Sequence, residues 1–267
     1  MIREPIVANK FYPGDSNLLR AEIESMVDKK ASPKKALGVV SPHAGYSFSG
    51  PVACEVFSNV RITDTVIMLG PNHTGMGEVF ALYPEGSWNT PFGNASVDKP
   101  LSGALLNGSG LIKEDATAHL AEHSLEVQVP ILQFFKPDVK IVPITISTIE
   151  FKSCLEVAQA IASAITAAGE SILIVASSDM THYESQPNAK KKDTLAIDAI
   201  LNLDEALLFK VVKEYNITMC GVIPTIVMIA TVKALGALSA RLIRYQTSGD
   251  ITGDYNEVVG YAGIIIE

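Results

Sequence analysis

The stretch "SILIVASSDMTHY" (171–183) decides the fold class. Its first seven residues are a short, continuous apolar run ending at Ser177. Such a run reads as a strand covered on both faces, the kind from which parallel sheets are built. "ALGVV" (36–40), "DTVIMLG" (64–70) and "KIVPITI" (140–146) have the same character. Helical patterns separate them. "GPVACEVFSNV" (50–60) predicts a helix with Pro51 in its first turn. "EHSLEVQVPILQFF" (122–135) has helical spacing, and Pro130 should kink or divide it. The Ala-rich 151–169 segment is a helix closed by Gly169. Weaker strands are expected at 79–84 and 94–98, on either side of the turn-rich "EGSWNTPFGN". Helices around 190–202, 204–215 and 221–236, then strands at 240–247 and 257–267, complete the chain. The alternation predicts an α/β fold: a single domain spanning 1–267, with a mixed, largely parallel sheet flanked by helices.

The bulk numbers narrow the function classes. The 267 residues are 48% hydrophobic, enough for one large α/β domain, with two smaller ones as the alternative. A net charge of −8, a pI near 5.2 and the lack of any run of five Lys/Arg argue against a nucleic-acid partner. Lys190-Lys191-Lys192 reads as a solvated helix start. The first residues, "MIREPIVANKFYPGDS", lack the apolar core of a signal peptide. No window reaches the ~18 uninterrupted apolar residues of a membrane span. The three cysteines, Cys54, Cys154 and Cys220, are odd in number and widely spaced, which fits a reduced, cytoplasmic protein.

Ligands of open α/β sheets bind beyond the carboxyl ends of the strands. His43, His73 and His182 each lie one to five residues past such an end. The first two sit in matching contexts, "VVSPHAG" and "LGPNHTG", where proline and glycine restrict the backbone and help fix an imidazole's direction. Cys220, in "TMCGVIP", directly precedes the last apolar helix. Its place at a helix N-terminus predicts a lowered pKa, and a thiolate suits zinc, iron or copper. Two imidazoles and one thiolate make a plausible three-ligand site with room for water or substrate. Asp179, three residues before His182, is placed to orient that imidazole and raise its basicity, as in a general base or a supported ligand. Cys54 and Cys154 fall in helical apolar patterns and read as packing residues. A rival site is "HLAEHSLE" (119–126), whose H-x-x-E-H pattern matches an inverted zinc-protease motif: His119 and His123 one helical turn apart, with Glu122 as base.

Six blocks carry a family resemblance: "FYPGD" (11–15), "SPHAGYSFSG" (41–50), "LGPNHTG" (69–75), "EHSLEVQVPIL" (122–132), "SSDMTHY" (177–183) and "MCGVIP" (219–224). Together and in this order they resemble the Memo family, whose prokaryotic members are called AmmeMemoRadiSam system protein B. The resemblance implies the α/β architecture of class III extradiol dioxygenases, in which two histidines and a glutamate hold Fe(II) and another histidine is the acid/base. Memo proteins are similar, with a cysteine replacing the glutamate. It therefore implies His43, His73 and Cys220 as metal ligands and His182 as acid/base with Asp179 beside it, while Glu122 and His123 line the same cleft. The block containing His123 matches without His119, which weighs against the zinc-hydrolase reading. Iron or copper is the expected metal, with zinc second. A metal-dependent, dioxygenase-like oxidoreductase acting on a small substrate is one expected function. The competing class is a non-catalytic binding or regulatory protein that takes a small molecule or peptide in the same pocket.

Overall fold

The computed structural model describes residues 1–267. Its centre is a nine-stranded sheet. The strands Gly38–Ser41, Leu173–Ser177, Thr65–Pro71 and Lys140–Ile146 lie side by side in that order, all parallel. The antiparallel pairings, and one further parallel pair, Phe80–Leu82 with Ile112–Glu114, lie outside this block. Val258–Ile266 flanks Gly38–Ser41 and carries Ala240–Thr247 and the short His182–Glu184, while Phe80–Leu82 flanks Lys140–Ile146 and carries Ile112–Glu114. The expected α/β class, with a mixed and largely parallel sheet between helices, is the one observed.

The continuous apolar runs are explained by two cores, one on each face. Side chains alternate across a strand. Val40, Ile67, Leu69, Ile174 and Ala176 enter one core, under the helices Phe151–Ala168, Gln186–Leu201 and Val222–Ala234. Val39, Val66, Met68, Leu173 and Val175 enter the other, under Ser16–Met26, Tyr46–Ser58 and Gln128–Phe135. A strand with both faces buried has no polar face, so alternation disappears from its sequence.

Several boundaries differ from expectation, each for a local reason. The helix expected at 50–60 begins at Tyr46, capped by Gly45, so Pro51 sits in its second turn. The helix expected from 122 begins at Gln128, and Pro130 falls in its first turn, where a missing N–H costs no bond; residues 122–127 form turns instead. The turn-rich 85–94 segment contains a strand, Ser87–Thr90. It pairs with Gly93–Ser96 and with the N-terminal Ile2–Arg3 in a separate three-stranded sheet.

Because the four central strands are parallel, their carboxyl ends open on one side. Pro42-His43, Asn72-His73 and Ser178-Asp179 all emerge there. Two glycines allow other segments to reach the same place. A Cβ at Gly70 would sit 2.7 Å from Leu125 Cδ2, so its absence lets the 122–127 turns press against the strand end. At Gly221 a Cβ would run into the Ser177 carbonyl, so glycine there lets the helix Val222–Ala234 start against the Leu173–Ser177 strand, with Cys220 just ahead of it.

Candidate metal centre

Three of the five imidazoles converge. His43, His73 and His123 each offer a ring nitrogen, and these lie within 4.8 Å of one another. The His43 and His73 ring centroids are 5.3 Å apart, and His123 stacks on His73 at 4.9 Å with the planes 19° apart. Phe11, from the N-terminal segment, packs on His123 in a T-shaped pair with centroids 5.1 Å apart.

His73 is braced by Glu122. The carboxylate accepts the backbone N–H of His73 at 2.5 Å, the ring Nδ1–H at 2.9 Å and the Ser124 N–H at 2.8 Å. Burial alone would raise this carboxyl group. The His73 hydrogen bond and charge, with the backbone donors, outweigh it and leave the pKa at about 2. Burial likewise acts to lower His73, but the facing Glu122 carboxylate raises it above the ordinary imidazole value. His43 is fully enclosed; burial and the neighbouring imidazoles keep it neutral, well below the ordinary value. Burial lowers His123 too, and Glu122 offsets this only in part. Imidazole nitrogens gathered in one small volume are the donor set that zinc, copper or iron takes.

Cys220 stands beside this group, its Sγ 3.2 Å from His43 Nε2. The expected low pKa is not found. Burial, then the Asp179 carboxylate, pushes the thiol well above its ordinary value, although the Asp179 N–H donates to the sulfur at 3.2 Å. One helix end does not offset that desolvation. Cys54 and Cys154 are buried packing residues, as expected, raised by burial to about 12 and about 11.

Asp179 does not orient His182. Its Oδ1 accepts the backbone N–H of His43 at 2.8 Å, which ties the Pro-His turn to the end of the neighbouring strand. Thr218 orients His182 instead: its Oγ1 accepts the His182 N–H at 2.7 Å and its carbonyl pairs with the ring Nδ1 at 2.9 Å. A carbonyl can only accept, so the proton is on Nδ1 and Nε2 is left unprotonated in the neutral ring.

His119 is elsewhere. Its ring is fully buried between Tyr83 and Trp88, with Nε2 on the Ala81 carbonyl at 3.0 Å. It lies in the short 3₁₀ turn Thr117–His119, not one turn before His123 on a helix, so the H-x-x-E-H zinc geometry does not form. The segment is pinned by a residue the sequence did not single out. Arg3 donates to the His119 and Glu122 carbonyls and pairs with Glu126 at 2.8 Å, both side chains 1% exposed. Glu126 also accepts from the Ile6 and Val7 backbones and from Tyr12 Oη. Two grooves open at the opposite ends of the strands, around Asp64 and Glu170, away from all of these groups.

The Memo-like protein family model matches residues 3–265. The chain belongs to the Memo family. It is 41% identical over 279 residues to a MEMO1 family protein of Methanopyrus kandleri, covering 99% of each chain. It is likewise 41% identical over 267 residues to one of Aquifex aeolicus, covering 99% of this chain and 98% of that one. Among solved structures, the uncharacterized protein JW3007 of Escherichia coli K12 shares the fold. The TM-score is 0.57 at 11% identity, over 86% of this chain and all of that one. His43, His73, Glu122, His123 and Cys220 all lie within the sequence blocks quoted above. The supports that had no obvious sequence signal are Arg3, Glu126 and Thr218, whose roles depend on contacts across long stretches of chain. No helix is long and apolar enough to cross a membrane.

Proposed function

We propose that this Memo chain is a transition-metal protein with oxidoreductase chemistry at the His43–His73 centre, with iron or copper as its metal ahead of zinc. The observation that carries the reading is the convergence of three imidazoles within 4.8 Å, with the Cys220 sulfur beside His43. His43 and His73 are the two fixed ligands. Cys220 is the third, in keeping with the family pattern, and His123 is the neighbouring imidazole available to the metal or to a bound substrate. The metal supplies Lewis acidity and, for iron or copper, electron transfer. Every remaining task falls to the protein. Glu122 holds the His73 ring through Nδ1. Asp179 holds the His43 backbone. His182, with Nδ1–H on the Thr218 carbonyl, offers Nε2 as the site that takes up or returns a proton. Phe11 walls the His123 side against water. The substrate is a small molecule entering from the carboxyl ends of the strands, and no nucleic acid or membrane takes part.

The test is elemental analysis of protein prepared without chelators. The expected result is near-stoichiometric metal in the native chain and none in the triple variant His43→Ala/His73→Ala/Cys220→Ala. Single variants at Cys220 and His123 identify the third ligand: the true one lowers metal content and the other does not. Equal content in native and triple variant ends the reading. For the iron- or copper-loaded protein, oxygen uptake with catechols is the first activity to screen, and His182→Ala should abolish whatever turnover is found.

A further inference from the structure

Behind His43, on the side away from the sulfur, lies a cluster of buried polar side chains that a metal centre does not by itself require. Ser41, Ser124, Gln128 and Ser177 are all fully enclosed, and they come from two strand ends, a turn and the start of a helix. A buried polar group without a partner costs about 1–3 kcal/mol, so a cluster of this kind persists only if its hydrogen bonds close.

They close in one way. The Gln128 amide nitrogen faces the Pro42 carbonyl at 2.9 Å and the Ser41 carbonyl at 3.3 Å. Turning the amide over would set its oxygen against those two carbonyl oxygens, so the nitrogen must be where it is. The same nitrogen reaches Ser177 Oγ at 2.9 Å as a donor, while Gln128 Oε1 accepts the Ser41 hydroxyl at 2.9 Å. Ser177 has a single hydroxyl proton, and the Ser124 carbonyl, which can only accept, takes it at 2.7 Å. What remains at Ser177 Oγ is acceptor capacity, and the His43 ring Nδ1 lies 2.9 Å from it. Nδ1 must therefore carry the proton, and the lone pair of the neutral ring is on Nε2, the nitrogen facing Cys220.

We infer that Ser177, oriented by Gln128 and by the Ser124 carbonyl, is a positioning residue that locks His43 in the Nδ1–H tautomer and so makes it a standing metal ligand through Nε2. His73 reaches the same state by a different device, a charged carboxylate. The centre thus has one ligand set by a neutral relay and one set by a carboxylate that accepts its Nδ1–H. The inference rests on the reading of His43 as a ligand, and partners of this kind typically change metal affinity 10–100-fold when removed.

The experiment has two arms. In the metal-free protein, nitrogen-15 NMR of the imidazoles reads the tautomer directly. Native His43 should show protonated Nδ1 and unprotonated Nε2, and Ser177→Ala should show a mixture or the opposite tautomer. In the second arm, zinc titration of Ser177→Ala should show roughly 10–100-fold weaker binding, and Ser177→Thr, which keeps the oxygen, should restore it to within about threefold, a recovery that simple loss of packing would not give. Gln128→Met, of similar volume, should weaken zinc less than Ser177→Ala, since the Ser124 carbonyl still holds the hydroxyl. A native His43 protonated on Nε2, or a Ser177→Ala chain with native tautomer and native zinc affinity, overturns the inference. If the native protein binds no zinc yet shows the locked tautomer, the relay stands and the metal reading fails. If Ser177→Ala does not fold, Ser177→Thr and Gln128→Met carry the same two readouts.

Discussion

At the scale of single residues, Cys220 is the informative one, because burial reverses what its place in the chain suggests. A helix N-terminus lowers a thiol's pKa only when the sulfur keeps some solvation, and here the sulfur lies against His43 with the Asp179 carboxylate near by. Burial keeps the thiol protonated at neutral pH in the metal-free protein. Alkylation of the metal-free native protein should therefore be slow at pH 7 and accelerate steadily toward pH 10. It should still fall on Cys220 alone, because Cys54 and Cys154 are closed off in the two cores. Added zinc should protect Cys220. Peptide mapping that finds Cys54 or Cys154 labelled first, or rates at Cys220 equal to those of a small free thiol at pH 7, contradicts this account.

At the scale of elements, what could be read from the sequence followed from how local its causes were. The four central strands were legible because burial on both faces writes itself as an apolar run, and the three strand-end blocks placed His43, His73 and His182 on one side. The Ser87–Thr90 strand was not legible, since its pairing with Ile2–Arg3 joins segments more than eighty positions apart and its composition is that of a turn. Nor was the orientation of His182, because Thr218 meets it from 36 positions away while Asp179, three positions away, faces His43. The N-terminal segment is the clearest such case. The pair Arg3–Glu126 is buried and bridges 123 positions, and it holds the turns that carry Glu122 and His123. Removing one partner leaves the other charge buried alone, so Arg3→Met should cost about 3–5 kcal/mol. Arg3→Met/Glu126→Leu should cost distinctly less than the sum of the single changes. Urea unfolding of the three variants measures this, and simple additivity would show that the pair is not coupled.

At the scale of the whole molecule, the histidines make stability depend on pH. His43, His119 and His123 are held below the ordinary imidazole value, burial being the first cause in each, and His119 is brought to about 4. The unfolded chain takes up protons near pH 6.5 that the folded chain refuses, so stability falls as pH drops below that value. His119 alone accounts for ~3 kcal/mol once the pH is below its folded value. His73, raised by Glu122, works in the opposite direction, and Glu122 itself adds a further loss only between its ordinary range and about 2. Denaturant midpoints of the metal-free protein should fall from pH 7 to pH 4.5, and His119→Phe should flatten that slope if it folds; a midpoint that rises on acidification is the contrary result. The strand order has a consequence of another kind, for a chain emerging from the ribosome. Gly38–Ser41 and Thr65–Pro71 are made early and never pair with each other; both wait for Leu173–Ser177, which slots between them more than a hundred residues later. For that interval Gly38–Ser41 has no permanent neighbour on either edge and Thr65–Pro71 gains only Lys140–Ile146, a state prone to mispairing and slow to resolve. The same delay means that His43 and His73 do not take up their final spacing until Leu173–Ser177 has been made, so under the proposed reading metal capture follows the synthesis of that strand.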